Sequence, residues 1–579
     1  MRNQGNQGKT PSIQLLIVAA IVIVYANALG NGFVFDDVGQ IVENQNLRSF
    51  SQVKMAFLKA LPFGGAFNEE HAAFYRPLFW TSLFLDRMVW GLDPFGYHLT
   101  NIFLHLLVAL LIFSLVRRLF KEEVVASLVS LLWALHPIQT EVAAYISSRM
   151  ASLSALFSLL AFHLFFMSET GTRLKRGGAL GGAVLSFTFA LLSYEMAVTS
   201  PLLMAVLDAS RESWGTRAKG PLRRAFRYVP FLVALAVYFL LRFTRFPFGG
   251  PMTVRGFLDG FSTRFLSIPL VFIGYLKLLL FPLHLSVERS TFIPHPQTLL
   301  DPEVVLSVTV IGLLLFTAWR TRASWPGISV GILWFFTALL PVSNIVPVYN
   351  RFAERFVYLP SLGLIMGACF AGSALARRAE AFRKGTVVAV LLVLLLFSAR
   401  TILRNRDYQD NETIYLATLA VSPKSFLIQA NLGNVYLRQS RFDFAFERFR
   451  ETLRLKPDDP SALNGLAVVY IHRGHLDLAK TVLRAALQAD PRSFAAHANL
   501  GLIHRQEGHL DLALEAFQRA VALNPGHAGA LVDLGGIYLA LGQREEAAAL
   551  FRRALSSEPG FPPAEEGLKE TGEPMTKQP

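Results

Sequence analysis

Apolar runs of about 17–22 residues, long enough to span a bilayer core at 1.5 Å per residue, recur between residues 11 and 403. No other feature narrows the fold so far. A backbone inside lipid must satisfy its own hydrogen bonds, so such runs become helices. Composition agrees: 53% of the 579 residues are hydrophobic and 17% charged, and the mean hydropathy is +0.41. A soluble chain of this size carries more charge. The 48 phenylalanines suit lipid-facing and interfacial surfaces.

The net charge of +14 does not point to nucleic acid. The basic residues sit in short loops between apolar runs, where the positive-inside rule expects them. One cysteine, Cys369, lies inside an apolar run, which excludes a disulfide framework and a cysteine metal site. The run after Lys9 resembles a signal peptide. It is too long and lacks a small-residue cleavage site, so it reads as a retained first span.

Spans are expected at about 11–29, 97–116, 124–135, up to 167, 179–207 (two, turning near Glu195), 229–242, 303–319, 327–342, 358–376 and 385–403. A polar loop of about 30–96 follows the first. In it Leu47, Phe50, Val53, Phe57, Leu58 and Leu61 recur at helical spacing after Asn46, as a helix lying on the membrane or packing on the protein. The run 265–283 breaks the alternation. Parity holds if it stays at one face, giving eleven crossings and an external C-terminus. Arg400, Arg404 and Arg406 argue the other way.

From about 407 the chain becomes soluble and periodic. Pro423, Pro457, Pro491, Pro525 and Pro559 stand 34 residues apart. Gly433, Ala467, Gly501 and Gly535 keep that register, as do Phe449, Leu483, Phe517 and Phe551. This is the pattern of four tetratricopeptide repeats over 424–559, after a linker or helix at 407–423 and before a tail at 560–579. The expected fold class is therefore all-α: a polytopic bundle of about 11–12 spans (1–406), then an α-solenoid. Asn431, Asn499 and Asp533 recur at one repeat position, broken by Gly465, and can hold an extended peptide backbone or simply be solvated.

Polar residues beside the spans carry the chemistry. Asp36-Asp37 follows the first span. Either residue can cap a helix, act as a general base at the mouth of a membrane cavity, or bind a divalent cation such as Mg or Mn. In His136-Pro137-Ile138-Gln139-Thr140-Glu141, a helix restarting after Pro137 would put Glu141, Tyr145 and Arg149 on one face. His136 could also bind metal, but no second ligand accompanies it. Glu195 needs a cation from elsewhere in the chain. Arg351 and Arg355 at i, i+4, with Glu354 between and Tyr358 on the same face, suit a phosphate. Arg76, in Tyr75-Arg76-Pro77, is a further candidate.

In this order, FVFDD, YRPL, HPIQTEVAAYISSR, SYEMAVTSP, YLKLLLFPLHLSVE, AERFVYLPSLG and the repeats resemble the transmembrane and tetratricopeptide-repeat-containing O-mannosyltransferases and their prokaryotic relatives. The resemblance implies a GT-C fold and transfer of a sugar from a lipid-phosphate carrier, outside the cytoplasm, to Ser/Thr of an acceptor protein. For a prokaryotic relative it implies a polyprenyl carrier and a bacterial inner membrane. It puts the acidic catalytic residue at Asp36 or Asp37 and the supporting charges at Glu141, Arg149, Glu195, Glu354 and Arg355; of the two aspartates, Asp37 is the preferred base here. Tyr194 stands where the family often has Lys, and Gln139 where it has His. A lipid-linked glycan ligase or polymerase, and a non-enzymatic membrane scaffold, are the competing classes.

Overall fold

A computed structural model describes residues 10–44, 47, 49–58, 75–170, 172–212, 225–244, 261–289, 296, 298–345 and 352–572. The chain divides into two compact units, Met1–Ser422 and Pro423–Pro579. Helices of eight residues or more are numbered in chain order.

The first unit holds α1 (Thr10–Tyr25), α2 (Phe50–Leu58), α3 (Pro77–Trp90), α4 (Pro94–Phe120), α5 (Glu123–Ala134), α6 (Arg149–Met167), α7 (Arg173–Ser193) and α8 (Ser200–Glu212). It continues with α9 (Val229–Thr244), α10 (Phe261–Leu280), α11 (Pro302–Thr321), α12 (Pro326–Leu339), α13 (Ser361–Ala376), α14 (Glu380–Arg406) and α15 (Asn411–Val421). Among the described residues, six helical stretches are long and apolar enough to cross a membrane: Ile13–Gly30, Pro94–Phe120, Ile146–Met167, Arg173–Ser193, Pro302–Thr321 and Glu380–Arg406. Shorter apolar helices pack among them. Gly331 of α12 and Gly363 of α13 show how closely: a Cβ on either would lie 2.4 Å from the other's carbonyl oxygen. Small residues let membrane helices approach in this way without a hydrophobic driving force between them.

The segment read as a polar loop contains α3, started by Pro77 and stopped by Gly91 at φ +59°. The α3 face carrying Phe79, Trp80 and Leu83 is buried. Helix α2 lies beside it: Phe50 stacks at a tilt on Phe84, with ring centroids 6.1 Å apart, while Leu58 stays exposed. Asn46 and Leu61 lie outside the described residues.

Helix α10 stays at one end of the bundle. Ser267 accepts a hydrogen bond from Asn344, Tyr275 from the Ala353 amide, and the Leu279 carbonyl from His136. All three partners lie in connections at the end that carries Asp36. Twelve residues of helix cover about 18 Å, so these three contacts place that length of α10 along this end of the bundle. Arg404, read from sequence as an inner-loop charge, belongs to the same end. It is buried beside Asp407 (2.8 Å) and Glu354 (3.8 Å).

The second unit is an α-solenoid: α16 (Phe426–Arg438), α17 (Phe442–Leu455), α18 (Pro460–His472), α19 (Leu476–Ala489), α20 (Phe494–Gln506), α21 (Leu510–Leu523), α22 (Ala528–Ala540), α23 (Arg544–Ser557) and α24 (Pro562–Glu570). The sequence period is the packing period: Phe449, Phe517 and Phe551 are buried between paired helices. Gly465 interrupts the Asn/Asp series because a Cβ there would lie 2.2 Å from the Phe449 ring.

Candidate functional site

Residues 31–37 are fastened to the far end of the same unit. Asn31 donates to the Asn405 carbonyl (2.9 Å) and the Gly32 amide to the Gln409 carbonyl (2.9 Å). The Phe35 amide donates to Asn411 Oδ1 (2.7 Å). Phe35 sits at φ +52°, rare for a bulky residue, with its ring against Tyr145 and Tyr415. Asn411, which opens a glycosylation sequon by pattern, therefore spends its side-chain oxygen on holding this turn.

The two aspartates have different surroundings. Asp37 is fully buried. One oxygen accepts from the Val34 amide (3.2 Å), the other from the amide (2.8 Å) and hydroxyl (2.5 Å) of Ser147. Burial, aided by the charge of Asp36, pushes it up to about 7 against those three bonds. Asp36 is half-buried. Its amide donates to the Tyr145 hydroxyl oxygen (3.2 Å). Burial raises its carboxyl above the ordinary value, while the hydrogen bond from Tyr145 and the charge of Arg355 pull it down. Asp36 is thus the more accessible of the two carboxylates, while the oxygens of Asp37 hold the turn.

Two ion pairs stand nearby. Glu141 takes Arg355 through both its oxygens, from the side chain (2.7 Å) and from the backbone amide (2.8 Å). Arg355 Nε is buried with no hydrogen-bond partner, and Arg355 lines a small pocket with Ser154, Tyr194, Thr199 and Phe356. Arg76 supplies the cation that Glu195 lacked, with contacts of 3.0 Å from both Nε and the guanidinium end. The Tyr194 ring lies under Arg76 at 4.8 Å.

Other expected site residues are committed elsewhere. Glu141, Tyr145 and Arg149 do not share a helix face. The helical turn Thr140–Ala143 ends before Tyr145, which is extended (φ −101°, ψ 114°). Arg149 instead points into the bundle, fully buried against Asp86 (2.6 Å), Asn101 (2.6 Å) and the Tyr97 carbonyl (2.9 Å). Its donors are spent on structure. His136 is likewise saturated. Nδ1 accepts from the Ile138 amide (3.1 Å), so Nε2 carries the proton given to the Leu279 carbonyl. That leaves no lone pair for a metal. Glu354 is buried among Arg289 (2.8 Å), Arg404 and the Ser286 amide. The Tyr358 hydroxyl is bonded to His105 (2.8 Å). Arg351 lies outside the described residues. A cation at Asp36-Asp37 fits poorly, because both Asp37 oxygens already accept hydrogen bonds.

In the solenoid, Asn499 donates to Asn464 (2.8 Å) and Asp533 accepts from Arg505 (3.0 Å), tying successive repeats together. Asn431 is half-buried.

Comparison with known proteins agrees with this architecture. The tetratricopeptide repeat family matches residues 397–460, 430–494, 465–528 and 504–568. Human protein O-mannosyl-transferase TMTC3 is 26% identical over 481 residues, covering 77% of this chain and 52% of that protein. The chain is similar in sequence to proteins named protein O-mannosyl-transferases. Human TMTC1 is 27% identical over 496 residues, covering 78% of this chain and 56% of its own length. The chain thus spans about half the length of the curated relatives it matches. Among solved structures, YrrB, described as a tetratricopeptide protein with an unusual peptide-binding site, is 25% identical over 27% of this chain and 81% of its own, with a TM-score of 0.23.

The Tyr145 bond gives a pH signature. It favours the charged form of Asp36, so a Tyr145→Phe change raises that pKa. A base works only when deprotonated. The acidic limb of the rate–pH profile should therefore move to higher pH, with the alkaline plateau recovered. An unmoved limb would show that another group controls it.

Proposed function

We propose that this chain is a membrane glycosyltransferase that moves a sugar from a polyprenyl- or dolichyl-phosphate carrier to a Ser/Thr hydroxyl of an acceptor polypeptide. One observation carries the reading. A half-buried carboxylate whose neighbours are a tyrosine hydroxyl and an arginine shares one end of the bundle with a pocket lined by that arginine. Asp36 takes the proton from the acceptor hydroxyl. The hydroxyl oxygen bonds to the anomeric carbon as the carbon–phosphate-oxygen bond breaks, and the single displacement inverts the centre. The lipid phosphate leaves with its charge met by Arg355, whose Nε is available. Arg76, oriented by Glu195, adds a second cation. Arginine suits this task because its planar donors match phosphate oxygens.

The relatives' names motivate mannose as the first sugar to try. Arg117, Arg118, Lys121, Arg320 and Arg322 mark the opposite end of the spans as cytoplasmic. The Asp36 end then faces outward. The chain leaves α14 at that end, since Asn405 bonds to the Val24 carbonyl at the close of α1. The repeats accordingly follow on the extracytoplasmic side and supply the acceptor-binding surface, with Asn431 its first candidate.

The test uses the full chain in detergent with mannosyl polyprenyl phosphate, reading release of lipid phosphate and sugar on an added polypeptide. Acceptor-dependent release is expected. Release that needs only a glycan acceptor would make the chain a ligase. No release with any lipid-phosphate sugar would leave the scaffold class.

A further inference from the structure

The turn between the helices of each repeat brings a residue and the fifth one after it side by side. Tyr436 stacks with Arg441, 4.4 Å from cation to ring centroid. Tyr470 meets His475 at 6.5 Å between rings. In the third repeat the pair is His504 and His509, with centroids 6.4 Å apart, and Glu507 stands between them where the second repeat has Arg473. Only the third repeat thus combines two imidazoles with a carboxylate at this turn.

We propose that His504, Glu507 and His509 form a zinc site in the third repeat. One ligand atom from each lies within 4.8 Å of the others. Glu507 Oε2 is 3.8 Å from His504 Nδ1 and 3.6 Å from His509 Nδ1. Ligand atoms about 2.0–2.1 Å from a tetrahedral zinc stand about 3.3 Å apart, so small side-chain rotations close the gap. His504 Nδ1 is buried and has no hydrogen-bond partner, an unsatisfied acceptor that a metal would use. The other Glu507 oxygen is held by Lys480 at 2.7 Å, which fixes the carboxylate and leaves Oε2 facing the rings. Two imidazoles and one carboxylate suit a borderline divalent ion, and the fourth position stays open to water or a partner's side chain.

The test titrates the full chain in detergent with Zn²⁺ against a competing chelator, with Mg²⁺ as the hard-cation control. His504→Tyr installs the residue the other repeats carry at this position, so packing is kept, and it is combined with His509→Gln. We expect one zinc per chain and no Mg²⁺ binding. Each single change removes a ligand and should weaken zinc by more than the roughly 10–100-fold that follows loss of an outer-shell partner, and the double change should abolish the site. Cobalt bound in its place should give tetrahedral visible bands that the double variant lacks. Unchanged stoichiometry and affinity in the double variant, or no saturable zinc binding by the parent, would overturn the site.

Discussion

Asp36→Asn should lower sugar transfer about 10²–10⁴-fold, the usual contribution of a positioned general base, while the protein inserts and unfolds as the parent does. Asparagine keeps the shape, and the loop stays anchored through backbone groups, Asn31, Asp37 and Asn411. Asp37→Asn should do the opposite. Both Asp37 oxygens are acceptors. An amide nitrogen in place of one of them would face the Val34 or Ser147 amide and leave a buried donor unmet, costing about 1–3 kcal/mol. Turnover per folded molecule and thermal midpoint, measured on both variants, separate the two roles. Normal transfer by Asp36→Asn would remove Asp36 from the chemistry.

Arg355→Gln should cut transfer about 10²–10³-fold, the loss seen when a donor to a developing oxyanion is removed. It should also shift the acidic limb of the rate upward, because the charge of Arg355 lowers the Asp36 pKa. The single change strands the buried Glu141, and breaking a buried pair costs about 3–5 kcal/mol. The variant to measure is therefore Glu141→Gln with Arg355→Gln, which removes both charges. Restored expression with transfer still lost assigns Arg355 to the donor. Transfer recovered together with stability would make the pair purely structural.

The expectations for the fold and for the site differ in how they fared. Hydrocarbon thickness fixes a span's length, and a 34-residue spacing leaves one architecture, so the long apolar helices and the repeats could be read from local pattern alone; of the 11–12 spans expected, six helical stretches among the described residues are long and apolar enough to cross. Helix α3 was missed because its buried face is short and it sits in a stretch that ends with charged and turn residues. At the site, residue types were legible and partners were not. Projection onto a helix put Arg149 with Glu141, but the chain unwinds at Tyr145 and sends Arg149 to Asp86. Asp86 meets Arg149 and Arg289 meets Glu354 across more than 60 residues, and nothing in their own neighbourhoods announces it. The pairing of an unpartnered Glu195 with Arg76 was foreseeable in kind only: a carboxylate beside a membrane needs a cation.

The knot of bonds joining residues 31–35 to residues 405–411 spans 376 positions of sequence at its Phe35–Asn411 bond. A ribosome makes Asp36 long before Asn411, which follows α14. Until then Phe35 lacks the clamp that holds its unfavourable backbone, and the carboxylate beside it has no fixed aim. A nascent chain stalled before α15 therefore leaves the Phe35 turn and the neighbouring Asp36 without the bond to Asn411 that holds them.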